Sequence, residues 1–348
     1  MFGVYLILKN GVKFMSNILP HSNTFLIQKD FDFIKDTFYT GITTANTKVN
    51  LFKKEFQNYI QKEYIALYSS GTSALYELLL ALNIRKNDGV LLPSYICESV
   101  KKAIMKCEAI PIFYDNEKGS WISSYSQILK KVNKNIKAII VNHTFGIRYN
   151  LEEIEKLSSL NIPLIQDCAH FISNNHSDIE VSNLFTASFY SFNATKLLAT
   201  GEGGAVCTNN DNLFKELCKN KLDNGISDLN ASLGLSQLEQ YNDFLVKRQE
   251  IGNFYFEYLG DISKDLKQHS SIYFRFPIFV RNDIEFLNSD KVAFKKGVDK
   301  LLHTTLKEYL PNVENIFKKT ISIPIYPSLT KIQQKIIIDE VKRLINEN

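Results

Sequence analysis

Between residues 65 and 209 the chain alternates short β-rich runs with amphipathic segments, and this alternation limits the fold more than any other feature. The pattern is typical of helices that cross over between parallel strands. Apolar residues at helical spacing from Ala74 to Leu82 predict one such helix, with a single buried stripe. We therefore expect an α/β domain with a mostly parallel central sheet flanked by helices. The strand candidates are Ile65 to Ser69, Val90 to Pro93, Ile110 to Tyr114, Ala138 to His143, Pro163 to Asp167, Ala187 to Phe192 and Ala205 to Thr208.

Past Leu233 a different pattern predicts a second, smaller domain. A helical stretch from Leu235 to Leu259 precedes a single strand-like run, Ile272 to Val280. Thr330 and the glutamine three residues later stand in capping-box register, which predicts a terminal helix after Thr330. The C-terminal part should therefore be a linker helix followed by an α+β domain.

These patterns divide the chain into three parts. We expect an N-terminal extension at 1–24, a large domain at 25–234, and the linker helix with the small domain at 235–348. The stretch before Met15 shows no clear helical or strand pattern. We therefore expect either a loose extension or a translation start at Met15.

Composition and charge narrow the class of protein. Of the 348 residues, 45% are hydrophobic and 22% are charged, the balance of a soluble protein with a core. The net charge of +4 is too small and too scattered for a nucleic-acid binder. No apolar run is long enough to span a bilayer, and the residues near Met1 lack the form of a secretory signal. We expect a cytoplasmic protein without a nucleic-acid or membrane partner.

The cysteines indicate the redox environment. Their number is odd, and none has the C-x-x-C or Cys/His spacing of a metal site. We therefore expect a reducing compartment and no metal. The five are Cys97, Cys107, Cys168, Cys207 and Cys218.

One group of small residues follows the first strand candidate directly. In Ser69 to Leu75 the chain passes from a strand through serine, glycine and threonine into a helix. Free N–H groups and the positive helix end can bind a phosphate at such a junction, and the glycine allows close approach. An ordinary helix N-cap is the alternative interpretation. Neither a P-loop nor a G-x-G-x-x-G fingerprint is present.

Two further motifs carry single chemical groups. Asp167 ends an apolar strand, where ligands collect in open α/β sheets, and its carboxylate could pair with a protonated ring nitrogen. A structural carboxylate or helix cap is the alternative.

Lys196 lies between a strand-like run and the glycine-rich turn Gly201 to Gly204. Enclosure there would lower its pKa and let the neutral amine form a Schiff base, whereas an exposed lysine is the alternative.

A phosphate cradle, a carboxylate and an enclosed amine in this order match the needs of pyridoxal 5′-phosphate (PLP). On these motifs the chain resembles the fold-type-I aminotransferases of the DegT/DnrJ/StrS group, which are best known for aminating nucleotide-linked keto sugars. The resemblance runs from about Phe25 to the C-terminus. It includes Gly41 to Thr44, Ser70 to Leu75, Asp167 to His170, Ser191 to Lys196, Gly201 to Gly204, Ser227 to Gly234 and Ser322 to Thr330.

The resemblance implies a role for each matching residue. Lys196 resembles the Schiff-base lysine, Asp167 the partner of the pyridinium nitrogen, and His170 the residue near the phenolic oxygen of the cofactor. The positions that match the phosphate-binding residues of the family, together with the polar position ahead of the lysine, are Gly71, Thr72, Ser191 and Asn193.

Two departures from the family pattern stand out. Family members often stack an aromatic ring on the cofactor where this chain has Cys97, so either Tyr95 makes that contact or the contact is thinner. The segment Lys221 to Ile226 is shorter than the substrate-side loop of the family, which normally reaches the neighbouring subunit. This shortening puts the usual sugar-nucleotide pocket in doubt.

The resemblance also implies an activity. An amino donor, glutamate in the family, would react through an aldimine at Lys196 to give pyridoxamine phosphate (PMP), which would then aminate a keto group of a nucleotide-linked deoxysugar. A non-sugar ketone such as a cyclitol or a small phosphorylated ketone stays open, as does a degenerate member acting as a regulator. The dehydratase branch resembles this group with histidine at the position of Lys196, so lysine disfavours it. We expect a homodimer with shared active sites.

The remaining histidines carry less information. His143 matches a family pattern, but a buried, hydrogen-bonded histidine explains it equally well. The other four share no spacing, and we expect them to be solvated: His21, His176, His269 and His303.

Overall fold

A computed structural model describes residues 5–8, 11–14, 18–219, 225–260, 271–284, 287–306 and 308–347. The strands in these ranges are β1 (Tyr5–Leu8), β2 (Gly11–Phe14), β3 (Tyr64–Tyr68), β4 (Gly89–Pro93), β5 (Ile110–Tyr114), β6 (Ile136–Asn142), β7 (Leu164–Asp167), β8 (Ala187–Ser191), β9 (Gly204–Thr208), β10 (Phe276–Phe279) and β11 (Thr320–Ile323). The α-helices are α1 (Gln28–Thr40), α2 (Thr47–Ile60), α3 (Gly71–Ala81), α4 (Glu98–Lys106), α5 (Tyr125–Leu129), α6 (Leu151–Ser158), α7 (His176–Asn183), α8 (Asp211–Lys219), α9 (Asp228–Glu239), α10 (Tyr241–Leu259), α11 (Pro311–Lys319) and α12 (Lys331–Glu347).

The central sheet has seven strands in the order β3-β9-β8-β7-β6-β4-β5. Neighbours from β8 to β5 pair in parallel, whereas β9 runs antiparallel to both β3 and β8. All seven strand candidates form, with small shifts at their ends. The expectation of an α/β fold with a mostly parallel sheet is therefore confirmed.

Helix α3 shows why the alternating pattern folds in this way. Its apolar stripe, formed by Ala74, Leu75, Leu78 and Leu79, is fully buried. The same core continues from sheet residues such as Ile139 to Ile337 and Val341 of α12. The sheet and the C-terminal elements are thus joined by one apolar cluster, since each element has a single face to bury.

The linker region differs from its prediction in two respects. The predicted helix Leu235 to Leu259 is two helices, α9 and α10, which meet at Gln240. The predicted boundary at 234/235 falls inside α9, where a Cβ on Gly234 would lie 2.8 Å from the ring of Phe52. This close approach shows that α9 packs directly on α2, so periodicity alone could not locate the division.

Only the second half of the predicted run Ile272 to Val280 is a strand, β10, which pairs antiparallel with β11. Residues 271–275 instead bond to other elements. The N–H of Ile272 donates to the carbonyl of Gly146, at 3.1 Å. Arg248 of α10 donates to the carbonyls of Tyr273 and Phe274, at 2.9 and 3.3 Å.

The N-terminal stretch is more regular than expected. Strands β1 and β2 pair antiparallel, with Tyr5 opposite Phe14, so the expectation of no clear pattern is wrong for these residues. Further along, the N–H of Leu19 donates to the carbonyl of Lys291, at 2.7 Å. The hydroxyl of Thr24 donates to the carbonyl of Ala194, close to the lysine motif.

Within the ranges described, no helix is both long and apolar enough to cross a membrane. The same ranges contain no cluster of histidine, cysteine and acidic side chains that could hold a metal ion. All five cysteines are free thiols.

Asp228 holds the start of α2 against α9, and its removal should weaken the fold. Its buried carboxylate accepts from the N–H groups of Asn46, Lys48 and Val49, at 2.8 to 3.2 Å. We expect Asp228→Ala to lower the free energy of unfolding by about 2 kcal/mol, because these donors lose their acceptor. Urea unfolding measures the change. Asp339→Ala, at an exposed position in α12, is the control; equal midpoints for both variants would contradict the prediction.

Candidate active site

The N-terminus of α3 forms the first part of the site. Ser70 caps the helix, and its Oγ accepts from the N–H of Ser73, at 3.1 Å. A Cβ on Gly71 would lie 2.8 Å from the Cβ of Ser191, at the end of β8. A Cβ on Gly204 would lie 2.4 Å from the carbonyl carbon of Ser70. Glycine at both positions therefore lets the helix end, β8 and β9 converge, with the hydroxyl of Ser191 beside the free N–H groups of the first turn.

Asp167 ends β7 and is 6% exposed. Its Oδ1 accepts from the N–H of Ala169, at 2.9 Å, and no described residue donates a hydrogen bond to its Oδ2. Burial raises the pKa of Asp167 to about 6, against the opposing effects of the Ala169 hydrogen bond and the Lys196 charge. A buried carboxylate with an open oxygen can accept a protonated ring nitrogen.

Lys196 lies in a tight loop between β8 and β9. Its backbone N–H donates to the carbonyl of Asn193, at 2.8 Å. Burial lowers the pKa of Lys196 to about 8; the charge of Asp167 opposes this shift, and that of Arg275 adds to it. The charges of Lys196 and Asp167 thus act on each other's pKa. An amine with this pKa is partly neutral near neutral pH and can act as a nucleophile or base.

Asn193 closes the loop that carries the lysine. Its Nδ2 donates to Glu202 Oε1, at 3.0 Å, and its Oδ1 accepts from both the N–H and the hydroxyl of Thr195. The N–H of Ala194 donates across the loop to the carbonyl of Gly201, at 2.9 Å. Thr72 lies exposed at the start of α3.

His170 contacts a residue that sequence reasoning missed, Phe274. The two rings stack with centroids 3.9 Å apart and an angle of 17° between their planes. The Lys196 ammonium lies 5.3 Å from the centroid of the same Phe274 ring. The pKa of His170 is held well below its usual value, first by burial and then by the charges of Lys196 and Arg275. His170 is therefore neutral beside the lysine.

The two candidates for a ring contact, Tyr95 and Cys97, lie in different environments. Tyr95 is 1% exposed. Its ring packs edge-on against Phe145 and Phe317, and its hydroxyl donates to the carbonyl of Lys296. Cys97 is exposed at the start of α4, and it is among the groups whose charge acts on the pKa of Lys196.

His143 is buried and hydrogen-bonded, which was one of the two interpretations of this residue. Its Nδ1 donates to the carbonyl of Ile147, at 2.9 Å, and its Nε2 accepts from the amide of Gln166. Burial lowers the pKa of His143 to about 4.

Solvation was the wrong expectation for two histidines. His303 is fully buried between Ser94 and Glu314, and His21 is buried with its Nε2 against the Ser322 hydroxyl. Their partners are distant in sequence and left no local signal. His176 is exposed as expected, and His269 lies outside the described residues. Most of the shortened segment Lys221 to Ile226 also lies outside them.

The model of the DegT/DnrJ/EryC1/StrS aminotransferase family matches residues 26–342. The chain belongs to this family. The GDP-perosamine synthase of Escherichia coli O157:H7 is 28% identical and aligns over 88% of this chain and 93% of its own length. The UDP-4-amino-4,6-dideoxy-N-acetyl-beta-L-altrosamine transaminase of Campylobacter jejuni is 27% identical, over 95% of this chain and 98% of its own length.

Solved structures share the fold of this aminotransferase. Helicobacter pylori PseC, an aminotransferase involved in the biosynthesis of pseudoaminic acid, has a TM-score of 0.85 at 19% identity, covering 94% of this chain and 99% of that one. The PMP form of the putative sugar aminotransferase Spr1654 from Streptococcus pneumoniae also has a TM-score of 0.85, at 18% identity. This match covers 95% of this chain and 98% of that one.

This family member is a PLP-dependent aminotransferase. The residues present fit the cofactor. The open Oδ2 of buried Asp167 suits a pyridinium nitrogen, and the partly buried Lys196 suits the aldehyde. The convergence at Gly71 and Ser191 suits the phosphate.

A side chain at position 71 should interfere with the phosphate cradle. Because the added Cβ of Gly71→Ala would meet Ser191, we expect the Kd for PLP to rise about tenfold or more while the fold is retained. Titration of the cofactor absorbance measures the Kd, and circular dichroism monitors the fold. Gly225→Ala is the matched control, because nothing lies within 4 Å of its added Cβ. An unchanged Kd in Gly71→Ala would argue against the cradle.

The negative charge of Asp167 should support the charge of Lys196. Asp167 is ionised above its pKa of about 6 and opposes the fall in the pKa of Lys196 to about 8. Asp167→Asn should therefore lower the pKa of Lys196 further in cofactor-free enzyme. The pH dependence of Lys196 acylation, read by peptide mass spectrometry, should shift to lower pH. Asp339→Asn is the control, and a shift to higher pH would contradict the electrostatic coupling.

Proposed function

We propose that this enzyme transfers an amino group from glutamate to a keto group of a nucleotide-linked deoxysugar. The relatives support the acceptor class, because their activities concern GDP- and UDP-linked amino sugars. DesI, which shares the fold with a TM-score of 0.82 at 16% identity, was solved with its TDP-sugar product. The observation that carries the proposal is that Lys196, whose pKa is lowered by burial, and the buried carboxylate of Asp167 lie close enough for each charge to act on the pKa of the other.

Bound in this site, PLP supplies an electron-withdrawing ring that stabilises negative charge at the substrate carbon. Asp167 holds the ring nitrogen protonated through its open oxygen. Gly71, Thr72 and Ser191 bind the phosphate with backbone N–H groups and hydroxyls. Neutral His170 would lie near the phenolic oxygen, where it would donate or accept a hydrogen bond without adding charge.

Lys196 has two tasks in the proposed reaction. Its neutral amine would hold the cofactor aldehyde between turnovers. Once released, the amine would take the proton from the donor carbon and return it to the carbon on the other side of the transferred nitrogen. A pKa of about 8 suits both transfers, because the amine and the ammonium are both populated near neutral pH. Asn193 supports these steps by fixing the loop in which the lysine lies.

Cys97 is the better of the two candidates for the ring contact. Its thiol is exposed and acts on the pKa of Lys196, whereas the ring of Tyr95 is buried edge-on against Phe145 and Phe317. A thiol would cover less of a ring face than an aromatic side chain does.

An apolar surface on α1 supports the proposed homodimer. Six large side chains on and beside this helix are exposed, and aromatic residues of this kind are enriched in interfaces between subunits. The six are Leu26, Ile27, Phe31, Phe38, Tyr39 and Ile42. In the dimer, residues of both subunits would border each active site.

Substitution of the lysine tests the proposed function. Wild-type enzyme incubated with PLP and glutamate should form 2-oxoglutarate, and Lys196→Ala should lose the cofactor's visible absorbance band and at least about 10²- to 10⁴-fold of the rate. The control is Lys342→Ala, an exposed lysine in α12. Retention of both signals in Lys196→Ala would overturn the role of the lysine.

A substrate panel tests the acceptor. The pyridoxamine form should regain the PLP spectrum with a nucleotide-linked 4-keto sugar. Return of the spectrum only with a cyclitol ketone or a small phosphorylated ketone would replace the sugar-nucleotide assignment.

Size-exclusion chromatography of active enzyme tests the dimer, which a fully active monomer would refute.

A further inference from the structure

Arg275 lies between the active-site loop and β10, and its guanidinium packs on the ring of Phe274. The guanidinium carbon is 4.2 Å from the ring centroid, and the stacked His170 ring is 3.9 Å from the same centroid. The Phe274 ring therefore contacts both the imidazole of His170 and the guanidinium of Arg275.

Among the described residues, no aspartate or glutamate forms an ion pair with Arg275. Its Nη1 donates only to the carbonyl of Phe274, at 3.4 Å, and burial lowers its pKa to about 9. Two other buried or half-buried arginines form more hydrogen bonds with the protein. Arg148 pairs with Asp178, at 2.8 Å, and Arg248 donates to three carbonyls. Most of the five donors of Arg275 thus remain available to a ligand.

The guanidinium of Arg275 lies close to three other basic groups. Its charge lowers the pKa of Lys196, of His170 and of His21, so all three groups lie within its field. A partly buried arginine without an acidic partner, surrounded by other basic groups, favours binding of an anion.

The position of Arg275 relative to Lys196 indicates which anion. The Lys196 ammonium is 5.3 Å from the Phe274 centroid, so the reacting amine and the guanidinium lie over one ring. In an amino acid donor, the α-carboxylate is bonded to the same carbon that carries the amino group. In a sugar nucleotide, the sugar ring separates the phosphates from the keto carbon. Of these anions, a carboxylate on the reacting carbon lies nearest to Lys196 and is therefore the better ligand for a guanidinium that shares a ring contact with it.

We propose that Arg275 binds the α-carboxylate of the amino donor. The assignment rests on the proposed function, because it requires that the donor is an amino acid. Two charge-assisted hydrogen bonds from the guanidinium would orient the donor with its α-carbon at Lys196. The segment that carries Arg275 is held from behind by Arg248, which bonds to the carbonyls of Tyr273 and Phe274.

The test separates the two half-reactions. PLP-loaded enzyme is mixed with L-glutamate or with L-alanine, and the loss of the visible absorbance gives the donor half-reaction. Arg275→Met should raise the donor concentration needed for half-maximal rate about 10- to 100-fold for both amino acids. Arg275→Lys should recover part of this loss. The maximal rate and the Kd for PLP should change little. Arg281→Met, an exposed arginine beyond β10, is the matched control.

Each other outcome overturns the assignment in a recognisable way. If Arg275→Met raises the required concentration of glutamate but not that of alanine, the side-chain carboxylate of glutamate binds at Arg275. If Arg275→Met slows only the half-reaction of the pyridoxamine form with a keto-sugar nucleotide, Arg275 binds the phosphates of the acceptor. A raised Kd for PLP would assign it to the cofactor. If wild-type enzyme reacts with neither amino acid, the proposed donor class fails as well, whereas an unchanged Arg275→Met in an active enzyme removes Arg275 alone.

Discussion

The chemistry of this protein depends on two opposite charges held where water has little access. Burial raises the pKa of Asp167 to about 6 and lowers that of Lys196 to about 8, while their mutual attraction opposes both shifts. Burial therefore brings the pKa values of both groups closer to neutral pH. In water the same lysine would be almost fully protonated and a poor nucleophile. The end of β7 and the loop after β8 hold these two side chains near each other.

The topology of the sheet explains how separate motifs meet. The strands β3, β9, β8 and β7 are neighbours, and β9 alone runs antiparallel to the others. The residues that follow β3, β8 and β7 therefore share one edge with Gly204, where β9 begins. A phosphate cradle, an enclosed amine and a carboxylate must then face one space. Close contact between Gly204 and Ser70 completes the edge, which no side chain at that position would allow.

The sequence predicted what local patterns encode. All seven sheet strands, the stripe of α3 and the order of Gly71, Asp167 and Lys196 follow from periodicity and from residues at strand ends. What it missed depends on distant partners. The first half of the run Ile272 to Val280 is apolar like a strand, but its backbone bonds to Gly146 and Arg248 instead of a neighbouring strand. A single arginine inside that apolar run was the one available signal for Arg275.

Among the residues that the structure describes, Arg275 has no acidic partner. An acidic partner would stabilise this guanidinium, yet the positions around it hold Phe274, His170 and Lys196, and the nearby Arg248 lowers its pKa as well. Such an arrangement is unfavourable in the free protein, because several basic groups repel one another in a poorly solvated space. Anions bound there remove that repulsion. A site with one carboxylate and several cations is therefore incomplete by itself, and anionic ligands provide the charge that the fold omits.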